Sequence, residues 1–172
     1  MKILVIANSY PSVRNPSGGI FVYNLIQQFV KLGNDITVIS PVGIKGICKK
    51  TNQISYGEEL ATVYRPKYIT ASAINLFIFN TYRISELSQI EAVKRVVKKH
   101  SIEFDVVYAH FLSNSFIAVK AFLCYDKPIY SAVGEYNNID IRKAYYPKKH
   151  YYKTLSKIDG FVAVSPQVKQ KL

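Results

Sequence analysis

Several residues that could bind or act on a polar ligand come directly after short apolar runs of the sequence. They are His110, the pair Gly134–Glu135, and Ser165. An imidazole can stabilise developing charge, a carboxylate accepts hydrogen bonds, and a glycine lets a ligand approach the backbone. If the apolar runs are parallel strands, their carboxyl ends meet at one edge of a sheet, where open α/β proteins bind ligands.

Each of these residues also has an interpretation that involves no ligand. Ser165 precedes Pro166, which is the pattern of a helix N-cap followed by proline at the first helical position. His110 can be a packed, hydrogen-bonded histidine, and Glu135 can be a solvated carboxylate. Both interpretations stay open from the residues alone.

A polar loop from Asn8 to Gly18 separates the first apolar run from a helix-like segment that opens at Gly19. Strand-to-helix connections usually have about 2–6 residues, and this one is roughly twice as long. Its last residues would present bare backbone amides at a helix N-terminus, which favours a phosphate or carboxylate. A simple tight turn made by Gly18 and Gly19 is the alternative.

Short apolar runs alternate with helix-like segments along the whole chain. The runs are residues 1–7, 35–40, 61–64, 104–109, 128–133 and 160–164. The helix-like segments are 19–32, 84–100, 114–125 and 142–155. The apolar face of the second helix is predicted to carry Ile84, Leu87, Ile90, Val93 and Val97. This alternation predicts an α/β fold, a Rossmann-like, doubly wound, mainly parallel sheet with helices on both faces.

The composition limits the class of protein. With 172 residues, 49% of them hydrophobic and 20% charged, the chain is predicted to form one globular domain rather than a disordered segment. A net charge of +12 predicts a negatively charged partner. Cys48 and Cys124 lie far apart without metal-ligand spacing, so we expect reduced packing residues, no metal site and a cytoplasmic protein. We predict neither a signal peptide nor a membrane span, because no apolar run is long enough.

An ordered set of short segments along the chain resembles the family-4 glycosyltransferases. The segments are 10–11 (YP), 18–22 (GGIFV), 32–39 (LGNDITVI), 104–110 (FDVVYAH), 127–130 (KPIY) and 158–165 (IDGFVAVS). Members of that family are retaining, nucleotide-sugar-dependent enzymes of the two-domain GT-B architecture. The resemblance implies that residues 1–172 are the single Rossmann-like, N-terminal, acceptor-side domain and that the C-terminal donor-binding domain is absent from this chain.

The same resemblance implies a function. A sugar would pass from a nucleotide-sugar donor to a glycan or lipid-linked acceptor in cell-surface polysaccharide biosynthesis. No cofactor is expected, because the nucleotide sugar is a co-substrate, and residues 1–172 alone should be inactive. His110 would be the catalytic-site residue, its ring stabilising charge beside the reacting sugar. The predicted donor- and acceptor-binding residues are Gly18, Gly19, Gly134, Glu135 and Ser165. Family members often have His-Gly after the fifth strand, where this chain has Gly134-Glu135.

Basic and aromatic residues are interleaved around an apolar stretch, 68–82, and again in residues 142–153. The basic residues of the second patch are Arg142, Lys143, Lys148, Lys149 and Lys153. Such patches suit an anionic membrane, where lipid-linked acceptors reside, so we expect peripheral contact with the inner face of the plasma membrane. The alternatives are that 68–82 is a core helix and that the tyrosines stack nucleic-acid bases. A nucleic-acid partner is the minor alternative because no motif for it is present.

Two further enzyme classes can be compared with the sequence. A dinucleotide-binding oxidoreductase needs Gly-x-Gly-x-x-Gly directly after the first strand, but residues 8–13 read NSYPSV, which disfavours that class. A sugar-nucleotide epimerase shares the GT-B architecture and stays the alternative enzyme.

Overall fold

The computed structural model describes residues 1–12, 15–44, 60–72, 74–76, 79–134 and 148–170. The strands are β1 (Lys2–Ile6), β2 (Asp35–Ile39), β3 (Val42–Ile44), β4 (Thr62–Tyr64), β5 (Lys67–Ile69), β6 (Asn75–Leu76), β7 (Phe79–Asn80), β8 (Val106–His110), β9 (Ile129–Val133) and β10 (Gly160–Ala163). The helices are α1 (Ile20–Lys31), α2 (Tyr82–Lys99), α3 (Leu112–Phe122), α4 (Lys148–Leu155) and α5 (Pro166–Lys169), and a 3₁₀ turn (Leu123–Tyr125) follows α3.

Six strands form one sheet in the order β10-β9-β8-β1-β2-β4, and every neighbouring pair is parallel. These are the six apolar runs of the sequence. The chain winds outward from β1 in one direction and then from β8 in the other, which is the doubly wound order of Rossmann folds. The predicted fold class is confirmed, and the order reverses between β1 and β8.

Strand β1 explains why its sequence is almost continuously apolar. Ile3 and Val5 pack in a core that contains residues of α1, whereas Leu4 and Ile6 pack in a second core with residues of α2 and α3. A parallel strand buried on both faces has no polar side to alternate with. The helices therefore cover both faces of the sheet, as predicted.

The stretch 68–82 is not a core helix. Tyr68 and Ile69 belong to β5, which pairs in parallel with β3 through register partners such as Gly43 and Tyr68. The antiparallel pair β6 and β7 follows. The helical interpretation is wrong because Val42–Ile44 offer a sheet edge to pair with, a tertiary contact that local composition does not reveal.

The buried face of α2 differs from the predicted one in its first two turns. Ile90, Val93 and Val97 are buried as expected, but Ile84 and Leu87 are 43% and 59% exposed. Their inward places are taken by polar residues, namely Ser85, Glu86 and Gln89. The apolar periodicity therefore predicts the second half of this helix and fails in the first half.

Several predictions fall on residues that the structure does not describe. Glu135, Arg142, Lys143 and Cys48 lie outside the described residues, and of the predicted helix 142–155 only Lys148–Leu155 is described. Cys124 carries a free thiol and is exposed, so the expectation of a packed cysteine is wrong there. In the described part of the chain, no helix combines the length and the apolar composition that a membrane span requires.

Candidate functional site

The candidate site is the crevice outside the carboxyl ends of β1 and β8, where the strand order reverses. Asn8 follows β1, and Ser113 stands in the first turn of α3, directly after β8. The Asn8 side-chain amide donates a hydrogen bond of 3.2 Å to the Ser113 hydroxyl oxygen. This bond joins the two segments that border the crevice, which is the place where doubly wound folds bind ligands.

The turn between β8 and α3 is strained at Phe111. Its φ of 72° and ψ of 148° lie in a region that is almost reserved for glycine. A non-glycine residue there costs about 1–3 kcal/mol and persists only where surrounding contacts enforce it. The Phe111 amide donates to the Ala132 carbonyl oxygen at 2.8 Å, and its carbonyl oxygen accepts from the Asn114 amide at 3.0 Å. Such strain clusters at functional sites.

The last residue of β8, His110, is half-buried at this strained turn. Its ring centroid lies 4.2 Å from that of Phe111 and 6.5 Å from that of Tyr108. Burial raises the pKa of Tyr108 to about 12, so this phenol stays protonated and neutral at physiological pH. The structure therefore places the predicted catalytic-site residue at the crevice, with its ring near those of Phe111 and Tyr108.

The two glycines before α1 have different surroundings. Gly19 is the N-cap of α1 with φ of 74°, and a Cβ there would lie 2.3 Å from the carbonyl oxygen of Ser9. Its missing side chain is thus required by close contact with the loop's own backbone, which supports the tight-turn alternative. A Cβ on Gly18 would lie 2.3 Å from the side chain of Asn15. Contact of either glycine with a ligand stays a prediction.

Loop 8–12 is held by a residue whose role the sequence does not reveal. The Arg65 guanidinium donates to the carbonyl oxygens of Pro11 at 2.8 Å and Tyr10 at 3.4 Å. It also lies over the ring of Tyr10, 5.9 Å from the centroid. Arg65 follows β4, which is the edge strand of the sheet. It therefore ties the loop after β1 to that edge. In the sequence, Arg65 is only a basic residue beside an apolar stretch, and that pattern does not predict this contact.

The two other strand ends carry Gly134 and Ser165. A Cβ on Gly134 would contact the Phe111 ring and the Val164 side chain at 3.5 Å, so this glycine lies beside the strained turn. The Ser165 hydroxyl oxygen accepts a hydrogen bond from the Val168 amide at 3.3 Å, with Pro166 at the first helical position. The N-cap interpretation of Ser165 is confirmed, and its contact with a ligand stays a prediction.

The described basic residues of the second patch lie on α4. Lys149 and Lys153 are exposed, beside the exposed ring of Tyr152, whereas Tyr151 is buried and packs against Phe116 with ring centroids 5.3 Å apart. The helix therefore turns one tyrosine inward and leaves lysines and the other tyrosine outside. Across the described ranges no three histidine, cysteine or carboxylate side chains cluster closely enough to hold a metal ion.

Residues 18–172 of the sequence match the model of the protein family described as Glycosyltransferase Family 4. The chain belongs to this family. The match includes α1, the strained turn after β8 and β10, and leaves out only β1 and its loop. The family resemblance of the sequence segments is thereby confirmed.

Comparison with known proteins agrees with this membership. A Bacillus subtilis (strain 168) protein assigned as the teichuronic acid biosynthesis glycosyltransferase TuaC is 32% identical over 121 residues, which cover 64% of this chain and 30% of that protein. This family-4 chain is thus similar to part of a protein named for teichuronic acid biosynthesis.

Solved structures share the fold of the family-4 chain at low sequence identity. One is the apo form of the lipopolysaccharide outer core galactosyltransferase WaaB, with a TM-score of 0.57, 17% identity, and coverage of 99% of this chain and 41% of that one. Another is a Listeria monocytogenes protein assigned as a UDP-N-acetylglucosamine 2-epimerase, with a TM-score of 0.56, 13% identity, and coverage of 98% and 40%. The family-4 chain spans about two fifths of the length of these structures.

Proposed function

We propose that this chain is the acceptor-side half of a retaining glycosyltransferase that uses a nucleotide-sugar donor and a glycan or lipid-linked acceptor in cell-surface polysaccharide biosynthesis. One observation carries the proposal: in a chain of Glycosyltransferase Family 4, a strained turn holds His110 at the switch point of the sheet. The name of TuaC supports the choice of polysaccharide biosynthesis. The epimerase likeness is one of fold, so the family match favours transfer.

His110 is proposed to stabilise charge at the reacting sugar. In sugar transfer, positive charge develops at the anomeric carbon while negative charge grows on the leaving diphosphate. A polar ring that is fixed before the reaction can stabilise this charge without reorganising. The Phe111 ring, 4.2 Å away, restricts the movement of the imidazole. The residue acts by position, not as a nucleophile.

The start of α1 is proposed to face the donor phosphates. The backbone amides of Gly19 and Phe21 make no hydrogen bond with another described residue. Unsatisfied amides together with the helix dipole favour an anion, and a diphosphate is the anionic part of every nucleotide-diphosphate sugar. The loop that positions these amides is held by Arg65.

A peripheral membrane contact through α4 is part of the proposal. Lys149 and Lys153 are exposed beside Tyr152, whose side chain is 55% exposed. Lysine attracts anionic headgroups, and tyrosine suits the boundary between headgroups and acyl chains. This contact would bring the crevice to the surface where lipid-linked acceptors lie.

Substitution of His110 tests the function in a protein that carries both halves of the enzyme. His110→Ala should lower kcat of sugar transfer by about 10²–10³-fold while KM changes by less than about twofold, because the interaction is made mainly in the transition state. His100→Ala, at the end of α2, is the matched control. Equal kcat for both variants would show that His110 is a packing residue. Interconversion of the donor without an acceptor would identify an epimerase.

A further inference from the structure

A small cavity lies between the first half of α2 and the corner formed by β1 and α3. Its volume is about 140 Å³, and its lining includes Asn8, Ser113, Tyr68, Glu86 and Gln89. Asn8 and Ser113 are the hydrogen-bonded pair that borders the crevice. The cavity is therefore continuous with the candidate site, on the side of α2.

The inward face of α2 that lines this cavity is polar. An amphipathic helix on a sheet normally buries apolar residues, yet here Ile84 and Leu87 stay exposed while Glu86 and Gln89 are 2% and 8% exposed. Places where a helix departs from its expected pattern at a cost in stability are characteristic of functional sites. The departure is confined to the turns that line the cavity.

Two of the polar residues that line the cavity are already engaged. The Ser85 hydroxyl accepts from the Ala71 amide at 2.6 Å and donates to its carbonyl oxygen at 3.2 Å. The Glu86 carboxylate pairs with the Lys120 ammonium at 3.0 Å, which neutralises its charge. These contacts build the wall and leave it without net charge.

Two other polar groups that line the cavity are not engaged in contacts of this kind. The side-chain amide of Gln89 and the hydroxyl of Tyr68 make no hydrogen bond with any described residue. Burial also raises the pKa of the Tyr68 hydroxyl, so it remains a neutral donor and acceptor. The Gln89 amide and the Tyr68 hydroxyl can therefore hydrogen-bond to a ligand with hydroxyl groups that enters the cavity.

The size and charge of the cavity narrow the ligand class. Pockets that enclose a whole drug-sized ligand have volumes of about 300–1,000 Å³, so this one accommodates a single ring or one side of it. Neutral hydrogen-bonding groups and a paired carboxylate disfavour a phosphate, which needs unpaired positive charge. Amide, phenol and hydroxyl groups beside an aromatic ring match the hydroxyl groups of an uncharged sugar.

We propose that this cavity is the subsite for the terminal sugar of the acceptor, which is an uncharged monosaccharide unit whose hydroxyl groups bind Gln89 and Tyr68. The inference rests on the proposed function and deepens it. It assigns recognition of the acceptor to a glycan hydroxyl group rather than to a lipid phosphate.

Saturation-transfer NMR on the full chain tests the subsite without any transfer assay. The probes are methyl glycosides of glucose, galactose, mannose and N-acetylglucosamine, with glucose 6-phosphate as the charged comparison. At least one glycoside should bind with a dissociation constant of the order of 1–10 mM, as expected for a small ligand on one wall of a cleft. Gln89→Leu and Tyr68→Phe should each weaken that binding about fivefold, the loss of one hydrogen bond.

Gln28→Leu is the matched control, because Gln28 is exposed on α1 and makes the same chemical change away from the cavity. Tyr68→Phe removes a single oxygen atom, so it keeps the test valid if Gln89→Leu fails to fold. The proposal is overturned if no glycoside binds, if both variants bind as the parent does, or if glucose 6-phosphate binds more tightly. Glycoside binding that depends on Gln89 in a protein without transfer activity would instead overturn only the proposed function.

Discussion

The side-chain amide of Asn114 donates a hydrogen bond to the backbone carbonyl oxygen of His110. This bond helps to fix the position of His110 at the crevice. Asn114 is completely buried, and its own carbonyl oxygen has no hydrogen-bond partner among the described residues. A buried acceptor left unsatisfied costs about 1–3 kcal/mol. Asn114 thus stabilises the position of His110 at the expense of the stability of the domain.

Replacement of Asn114 by Leu should separate position from stability. The free energy of unfolding should change by less than about 1.5 kcal/mol, because one hydrogen bond and one unsatisfied acceptor are lost together. The kcat of sugar transfer should fall by about 10- to 100-fold, because a reacting group displaced by about 1 Å loses up to 10²-fold in rate. Asn24→Leu, on the exposed side of α1, is the control. An unchanged kcat would contradict the positioning role.

The strain at Phe111 predicts a reversal of the usual order of glycine and alanine. Both Phe111→Gly and Phe111→Ala lose the ring, but only glycine adopts φ of 72° without strain. We expect the Gly variant to be more stable by about 1 kcal/mol in urea unfolding. At Phe21, which is 78% exposed on α1, alanine should instead be more stable than glycine by about 0.5–1 kcal/mol. If the alanine variant were more stable than the glycine variant at both positions, Phe111 would be unstrained.

Gly19 and Gly33 form a matched pair for testing the loop contact. Both have positive φ, 74° and 76°, but a Cβ on Gly33 has no atom within 4 Å, whereas one on Gly19 would meet Ser9. Gly33→Ala should cost about 1–2 kcal/mol of unfolding free energy from backbone strain alone. Gly19→Ala should cost clearly more, because the loop must also move. Equal losses in denaturant titrations would disprove the close contact.

His150 should make stability depend on pH. Partial desolvation, and then the charges of Lys120 and Arg83, lower the pKa of this histidine. Since its pKa in the folded state lies below the unfolded value of about 6.5, its contribution is present above that pH and is lost as the pH falls through the folded pKa. An NMR titration should show a midpoint for His150 below about 6.5. Arg83→Gln should raise that midpoint, whereas Arg95→Gln, further along α2, should leave it unchanged.

The membrane contact predicts selective binding to anionic vesicles. Each basic residue near such a surface contributes about 1 kcal/mol, so Lys149→Gln with Lys153→Gln should weaken sedimentation with anionic liposomes by about 30-fold. Lys98→Gln with Lys99→Gln removes the same charge from the end of α2 and should have a smaller effect. Binding should also weaken as salt rises. Equal recovery with neutral and anionic vesicles would show that the binding is not electrostatic. Tighter binding to single-stranded RNA than to vesicles would favour a nucleic-acid partner.

The sequence was sufficient to predict the sheet because its central strands are buried on both faces. Runs such as Lys2–Ile6 and Val106–His110 are apolar almost throughout, and the helices between them require parallel connections. The same pattern placed His110 at a strand end, and thus at the crevice. The family segments added the function class, which no periodicity contains.

What the sequence determined by itself was therefore the order along the chain of the six strands of the main sheet and of the helices between them, and the edge of that sheet where polar residues gather. Only the tertiary structure decided that Ser85 and Glu86 turn inward, because their partners, Ala71 and Lys120, are distant in the chain. It also decided the strain at Phe111, which contacts with Ala132 and Asn114 enforce. Hydrophobic periodicity reports which side of an element is apolar, but a polar cavity or a strained turn depends on what the neighbouring elements bring to it.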